Sequence, residues 1–485
     1  MNWLLLSFIV APLLAAGLVA LAGRLKQLPG TLAVLTSGYL LGTAGWLYAV
    51  RPYNNILFFQ TGLPLVLDGL SHLLLLLIAA VAFLVVLYSL AYFAGKEDRA
   101  GFYLLYLLMV AGMNGVVLAG NIFHLFIALE VASLATYALV ALNRGELEME
   151  AALKYLVLGS AASLFLLLGF ALIYGQTGTF FMAAISGQII PEPIKMLIAA
   201  LLIVGFGLKA ALVPFHTWLP DAHTSAPAPV SATLSGILIK VLGIYCLARI
   251  LFNVLGFTPL ISVLLIGLAT LTILVGGLLA LAQDDYKRLL AYSSVSQIGY
   301  IVLGLALGTP LGVMGALFHL FNHATFKPLL FLNAGAVERA TGTRKLSELG
   351  GLRKKMPATS FAALFGSLSI SGLPPFNGFW SKLFIIIATL QAGYFWPALG
   401  AVIGSILTLA YFLKLQKEVF FGALPEKLEN VKEAGWLMAG VPVCLALICL
   451  AVGLVAPLVI ALLINPAVIA VMNGLGYGQM ILGMM

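Results

Sequence analysis

Along this chain, runs of about twenty apolar residues alternate with short polar loops. A helix of roughly 20 residues crosses the hydrocarbon layer of a bilayer. Fourteen stretches meet that length: 2–22, 30–50, 69–94, 102–120, 122–142, 151–175, 195–215, 228–254, 258–282, 288–307, 311–337, 358–392, 397–420 and 435–464. The pattern predicts an all-α polytopic membrane protein of 14 helices, with no room for a separate soluble domain. The first stretch, Asn2 to about Leu21, lacks a basic start and an obvious cleavage site, so it reads as a first span rather than a signal peptide.

Composition agrees: 62% of residues are hydrophobic and 9% are charged, whereas a soluble domain carries about 25% charged residues. The net charge of +8 is spread over loops, which excludes a nucleic-acid face. Cys246, Cys444 and Cys449 lie in apolar stretches with no metal-ligand spacing and read as small buried hydrophobes. Lysine and arginine favour the cytoplasmic loops. One alternate set of loops holds 17 of them, including Arg24, Lys26, Lys96, Arg144, Lys287, Arg288, Arg344 and Lys417. The other holds 3, namely Arg51, Lys195 and Arg249. The first set is expected to be cytoplasmic, with both termini outside, in the cytoplasmic membrane of a prokaryote.

That count leaves Lys154, Lys209, Lys240, Lys327 and Lys382 inside spans, with Glu130 as the acidic residue near a span centre. A charge at the bilayer centre costs roughly 3 kcal/mol on insertion scales. Such residues persist where they face one another or a hydrated interior, and an ion path is the functional reading. Lys154 lies near a cytoplasmic helix end and can snorkel instead. Structural ion pairing is the alternative for Lys209, Lys240 and Lys382. Desolvation lowers a lysine pKa and a nearby carboxylate raises it, so Glu130 can switch a lysine between holding and releasing a proton. His319, His323 and Lys327 recur every four residues on one helix face, and histidine passes protons near neutrality. His216 and His223 flank Asp221 and can line a cytoplasmic inlet or simply cap the loop.

Two spans carry breaks, at Pro214 and at Pro374-Pro375. Proline removes a backbone bond, and a membrane tolerates this only where protein or water satisfies the freed groups. Lys209 precedes the first break and Lys382 follows the second. Both fall on the fourth helix of successive five-helix units, spans 4–8 and 9–13, which an odd helix count forces into inverted orientations. Broken helices at matching places in inverted halves point to a transport path. The expected sections are 1–101 for helices 1–3, 102–257 and 258–420 for the two repeats, and 421–485 for helix 14 and the tail.

The run from Gly207 to Pro227, Gly-Leu-Lys-Ala-Ala-Leu-Val-Pro-Phe-His-Thr-Trp-Leu-Pro-Asp-Ala-His-Thr-Ser-Ala-Pro, continues to Lys240. It resembles the signature of the antiporter-like subunits of respiratory complex I, membrane-bound hydrogenases and Mrp-type sodium/proton antiporters. The resemblance covers nearly the whole chain, including Ala-Leu-Glu-Val-Ala-Ser-Leu around Glu130, Ala-Ala-Leu-Lys-Tyr around Lys154 and Gly-Leu-Pro-Pro-Phe-Asn-Gly-Phe-Trp-Ser before Lys382. It implies that Glu130 and Lys209 form the ion pair of helices 5 and 7, that Lys240 relays, and that Lys382 stands at the outer half-channel. It also implies no cofactor in this chain. Expected partners are other membrane subunits, including further antiporter-like ones, and a peripheral iron–sulfur arm, with protons and possible sodium as cargo and lipids around it.

Phe318-His319-Leu320-Phe321-Asn322-His323 and Met109–Gly115 look most like the Mrp D subunit and its hydrogenase counterpart, with complex I subunits M and N close. The lysine at 382 disfavours M, and the uncharged tail from Pro466 to Met485 differs from the long lateral helix of subunit L. The leading expectation is a proton-translocating subunit of a redox complex, and the alternative is an Mrp-type antiporter subunit without a redox partner. A solute carrier would need a roomier mixed-polar site than this row of titratable groups.

Overall fold

A computed structural model describes residues 2–483 apart from 24, 26, 51–56, 60–63 and 96–98. The loop cations Arg24, Lys26, Arg51 and Lys96 therefore lie outside the described residues. Helices follow the apolar runs: α1 (Asn2–Ala22), α2 (Leu28–Val50), α3 (Gly69–Tyr92), α4 (Arg99–Leu118), α5 (Ile122–Val140), α6 (Glu146–Thr177) and α7 (Glu192–Ala210). Next come α8 (Ala228–Asn253), α9 (Pro259–Leu281), α10 (Tyr286–Ala306) and α11 (Pro310–Thr341). The last are α12 (Pro357–Ser371), α13 (Asn377–Gln391), α14 (Phe395–Phe421), α15 (Trp436–Leu454), α16 (Ala456–Met472) and α17 (Gly476–Leu482). A two-stranded antiparallel ribbon, Leu57–Phe59 with Leu65–Leu67, precedes α3.

The helices start where the chain supplies a cap. Asp68 accepts from Ser71 N at 2.9 Å, Asn121 from Phe123 N at 2.8 Å and Asp285 from Arg288 N at 2.9 Å. Each satisfies an amide that the first helical turn leaves open.

Among the described residues, twelve helices are long and apolar enough to cross a membrane, or thirteen if α16 and α17, bent by 97°, form one span. The other two expected spans are present as helices but fall short of that test for different reasons. The eleventh, α11, is 32 residues long and interrupted by polar side chains, yet nearly all of its length is buried. A helix screened from lipid by its neighbours need not be apolar. The twelfth is split into α12 and α13, 15 residues each. The expected last span differs: α15 ends at Leu454, and the predicted tail is instead helical as α16 and α17.

Burial sorts the helices into layers. α8 is wholly enclosed and α10 nearly so, while only about a third of α1 and α2 is buried. α8 lies so close to the end of α7 that a Cβ on Gly243 would stand 2.5 Å from that of Ala210. Within α8, Leu234–Leu238 and Lys240–Tyr245 are wound as π-helix. Such wide turns are rare and recur at functional sites.

Candidate functional site: a segmented file of buried polar groups

The first segment forms where α7 stops. Ala211 adopts a left-handed conformation, φ 58°, and ends the helix. Leu212 N donates back to Gly207 O at 2.9 Å, Trp218 Nε1 to Leu208 O at 2.9 Å, and Val213 N to Thr272 Oγ1 at 3.1 Å. The freed backbone groups are thus satisfied by protein, as the membrane requires. Lys209, in the last turn, reaches Glu130 Oε1 at 3.4 Å, Ser133 Oγ at 3.1 Å and Tyr137 OH at 3.4 Å. Ser163 Oγ donates to the same Glu130 oxygen at 2.5 Å. The lysine side chain is 2% exposed and the glutamate 26%. The expected pair is present, with its carboxylate end more open than its ammonium end.

The second segment surrounds Lys240 and Lys327. Lys240 Nζ donates to Ser235 O, and Ser235 Oγ pairs with Ser294 Oγ at 2.7 Å. Lys327 Nζ donates to Leu290 O at 2.8 Å and to Ser293 Oγ. Serines of α10 thus touch both sides, Ser294 at Ser235 beside Lys240 and Ser293 at Lys327. Among the described residues no hydrogen bond joins Lys209 to Lys240.

The third segment centres on His319. One ring nitrogen meets Gln297 Oε1 at 3.1 Å and the other meets Ser381 Oγ at 2.9 Å. Gln297 continues to Thr408 Oγ1 at 3.3 Å. His323 is buried 6.4 Å from His319, centroid to centroid, and neither of its nitrogens has a hydrogen-bond partner. Lys382 follows Ser381. Its ammonium lies 3.5 Å from Ser371 O and 4.8 Å from the Tyr300 ring centroid, and among the described residues no carboxylate pairs with it. An amide, two hydroxyls and an imidazole in sequence can pass a proton by exchanging donor and acceptor roles.

Four expectations need correction. Lys154 is not part of the buried row. Its side chain is 49% exposed and pairs with Glu150 at 2.7 Å and Asp221 at 3.1 Å, because it lies within three turns of its helix start and reaches the polar rim. Arg249, read as an outer-loop cation, is buried on α8. Lys287, read as a cytoplasmic-loop cation, is also buried and donates to Ala226 O at 2.5 Å. Of the cysteines, Cys246 and Cys449 are buried as expected, but Cys444 is exposed.

Asp221 holds Arg288 at 3.0 Å as well as Lys154, lining a cavity of about 330 Å³ with Glu148, Glu150 and Arg344. His216 is partly buried near Tyr292. His223 is enclosed, stacked on Phe331 at 4.5 Å, with neither ring nitrogen hydrogen-bonded. Burial, together with the nearby charges of Lys327, Lys287 and Lys240, holds its imidazole well below the usual range.

Sequence reasoning missed two groups. Gln297, with Ser293 and Ser294, could have been found as the polar run Ser293–Gln297 inside an apolar span. The Asp68–Arg249 pair, with nitrogen–oxygen distances of 2.7 and 2.8 Å, carries no local signal because its partners are 181 residues apart. Arg249 also donates to Asn253 at 3.2 Å, and Asn253 caps carbonyls of Ala470 and Gly474 at 3.0 and 3.1 Å. This network pins the helical tail to α3 and α8.

Residues 119–408 match the family described as NADH:quinone oxidoreductase/Mrp antiporter, TM, and residues 55–103 match the complex I chain 5 N-terminus. The chain is 38% identical over 441 residues to NADH-quinone oxidoreductase subunit N of Desulforudis audaxviator, covering 86% of each. It superposes on a chain of the Mrp complex from Dietzia sp. DQ12-45-1b with a TM-score of 0.93, at 31% identity and 99% coverage of both. It superposes on one of the archaeal membrane-bound sulfane sulfur reductase with a TM-score of 0.90, also at 31% identity and 99% coverage of both. With this match, this fold and this file of lysines, the chain is a multi-pass membrane protein and belongs to the antiporter-like subunits of the complex I and Mrp family.

Proposed function

We propose that the chain moves protons across the membrane as one subunit of a redox-driven complex. The observation that carries this reading is the buried file itself. Glu130 and Lys209 form the switchable pair, and Lys240, Lys327, His319 and His323 form the relay. Lys382 is the outer end. Asp221 with His216 and His223 marks the cytoplasmic inlet, and Lys154 belongs to that rim. The segments 102–257 and 258–420 act as inverted repeats, each turning on its broken helix, with 1–101 and 421–485 as flanking sections. Both termini lie outside a prokaryotic cytoplasmic membrane. Redox centres reside in a peripheral iron–sulfur arm, and further antiporter-like subunits stand beside this one. The likeness to an NADH-quinone oxidoreductase subunit and to a sulfane sulfur reductase supports the redox setting.

A second reading, a subunit of a sodium/proton antiporter with no redox partner, is favoured by the TM-score of 0.93 to the Mrp complex. Copurifying chains separate the two: iron–sulfur proteins support the first, and small membrane subunits alone overturn it. The path has its own test in vesicles that hold the assembled complex. Lys209→Ala and Glu130→Ala are each expected to abolish coupled proton movement. Normal assembly with unchanged movement would reject the pair's role.

A further inference from the structure

Beside the second break, α12 and α14 leave a groove of about 250 Å³. Leu364 and Leu368 of α12 face Leu409, Phe412 and Leu413 of α14 across it. The two helices run antiparallel, so Ser371 lies at the deep end and Lys417 and Phe421 at the cytoplasmic end. From Pro357 to Ser371 α12 rises about 20 Å, which takes the groove past the middle of a hydrocarbon layer roughly 30 Å thick. Three uncharged polar side chains, Ser367, Ser371 and Gln416, line its walls. Gln416 donates to Ser367 Oγ at 2.9 Å, but Gln416 Oε1 and Ser371 Oγ are buried without a hydrogen-bond partner. At the mouth, Lys417 is exposed with no carboxylate paired to it among the described residues, and the exposed Arg353 lies 5.1 Å over the Phe421 ring.

We propose that this groove is a binding site for one anionic phospholipid, its acyl chain lying between α12 and α14 and its phosphate held by Lys417 and Arg353. A neighbouring helix, about 10 Å across, is too wide for a cleft of this volume, whereas a hydrocarbon chain fits. Two cations at the level of the headgroups, with no carboxylate paired to either among the described residues, select a negative head over a zwitterionic one. The deep end adjoins the file, because the carbonyl of Ser371 accepts from Lys382. Where the proposed proton path holds, an occupied groove packs the backbone that carries this carbonyl and steadies the position of Lys382.

The test is lipid retention by the assembled complex, reconstituted with spin-labelled phosphatidylglycerol or spin-labelled phosphatidylcholine and read as the immobilised fraction by electron paramagnetic resonance. Phosphatidylglycerol is expected to be retained over phosphatidylcholine. Lys417→Gln and Arg353→Gln should each weaken retention by about fivefold, the effect of one interfacial cation. Leu409→Trp, which fills the groove, should remove the immobilised fraction of either lipid. Equal retention of both lipids, or retention unchanged in all three variants, overturns the site. So does crosslinking of Leu413→Cys to another subunit in place of lipid. This readout does not depend on proton movement: loss of pumping in Lys209→Ala with lipid retention intact leaves the lipid site standing, and the reverse leaves the path standing.

Discussion

The two broken helices end alike and hold their lysines differently. At each break a residue in the left-handed region closes the helix, Ala211 at φ 58° and Gly372 at φ 82°. At each, the next amide reaches back five residues, Leu212 to Gly207 and Leu373 to Leu368. This is the Schellman pattern, which satisfies the last carbonyls of a helix. The lysines diverge from there. Lys209 precedes its break and is met by a carboxylate and two hydroxyls. Lys382 follows its break and is met by a carbonyl and the face of a tyrosine ring. A common backbone device thus serves one site that can be controlled by moving a charge and another that can be controlled only by hydration and dipoles.

The largest expected effect removes this difference. Glu130→Gln leaves Lys209 with neutral partners only, as Lys382 has, and proton movement in vesicles should fall at least about tenfold, equivalent to about 1.4 kcal/mol on a rate. Ser371→Ala, which keeps the carbonyl that Lys382 uses, should leave it nearly unchanged. A similar loss in both would mean that the carboxylate is not what distinguishes the sites.

The next effect concerns how the breaks are braced. Trp218 returns its indole N–H to the end of α7, while Trp380 sends its own to Gly453 on α15 at 2.9 Å. Trp218→Phe should cost about 1.5 kcal/mol in unfolding experiments, the worth of one buried hydrogen bond, because Leu208 O still accepts from Ala211 N at 3.2 Å. No change would show that water replaces the indole.

Gly372→Ala should destabilise by about 1–2 kcal/mol, the cost of a side chain in the left-handed region. Its new Cβ would also stand 3.0 Å from Lys382 Cδ. Ala211→Gly is the smallest change. Relief of strain and the added freedom of the unfolded chain nearly cancel, so stability should rise by no more than about 0.5 kcal/mol. A large gain would mean that Ala211 is held under more strain than its conformation alone imposes.

Much of this was legible in the sequence because burial in a membrane leaves few ways to place a charge. Lys209, Lys240, Lys327 and Lys382 are buried where the apolar runs predict. Both breaks fall where proline interrupts those runs. Lys154 was misplaced because three turns of helix and a flexible side chain suffice to reach the rim, and apolar neighbours in sequence do not reveal that reach. Arg249 and Lys287 were misplaced for the opposite reason. They sit at helix ends, where a loop and a buried terminus look alike until the partner is known. For Arg249 that partner is Asp68, far away in the chain. The serines of α10 went unremarked because single hydroxyls cost little in an apolar run, yet Ser294 meets Ser235 near Lys240 and Ser293 accepts from Lys327.

The wide turns of α8 have a mechanical consequence. An ordinary helix turns by about 100° per residue, and a π turn is a place where one residue has been let in without breaking the rod. α8 has two such places in succession, one ending just before Lys240 and the other beginning at it. Withdrawing a residue from either would swing everything beyond it by about 100°, toward or away from the serines of α10. The enclosed helix at the centre of the molecule is therefore built less like a strut than like a key with two detents.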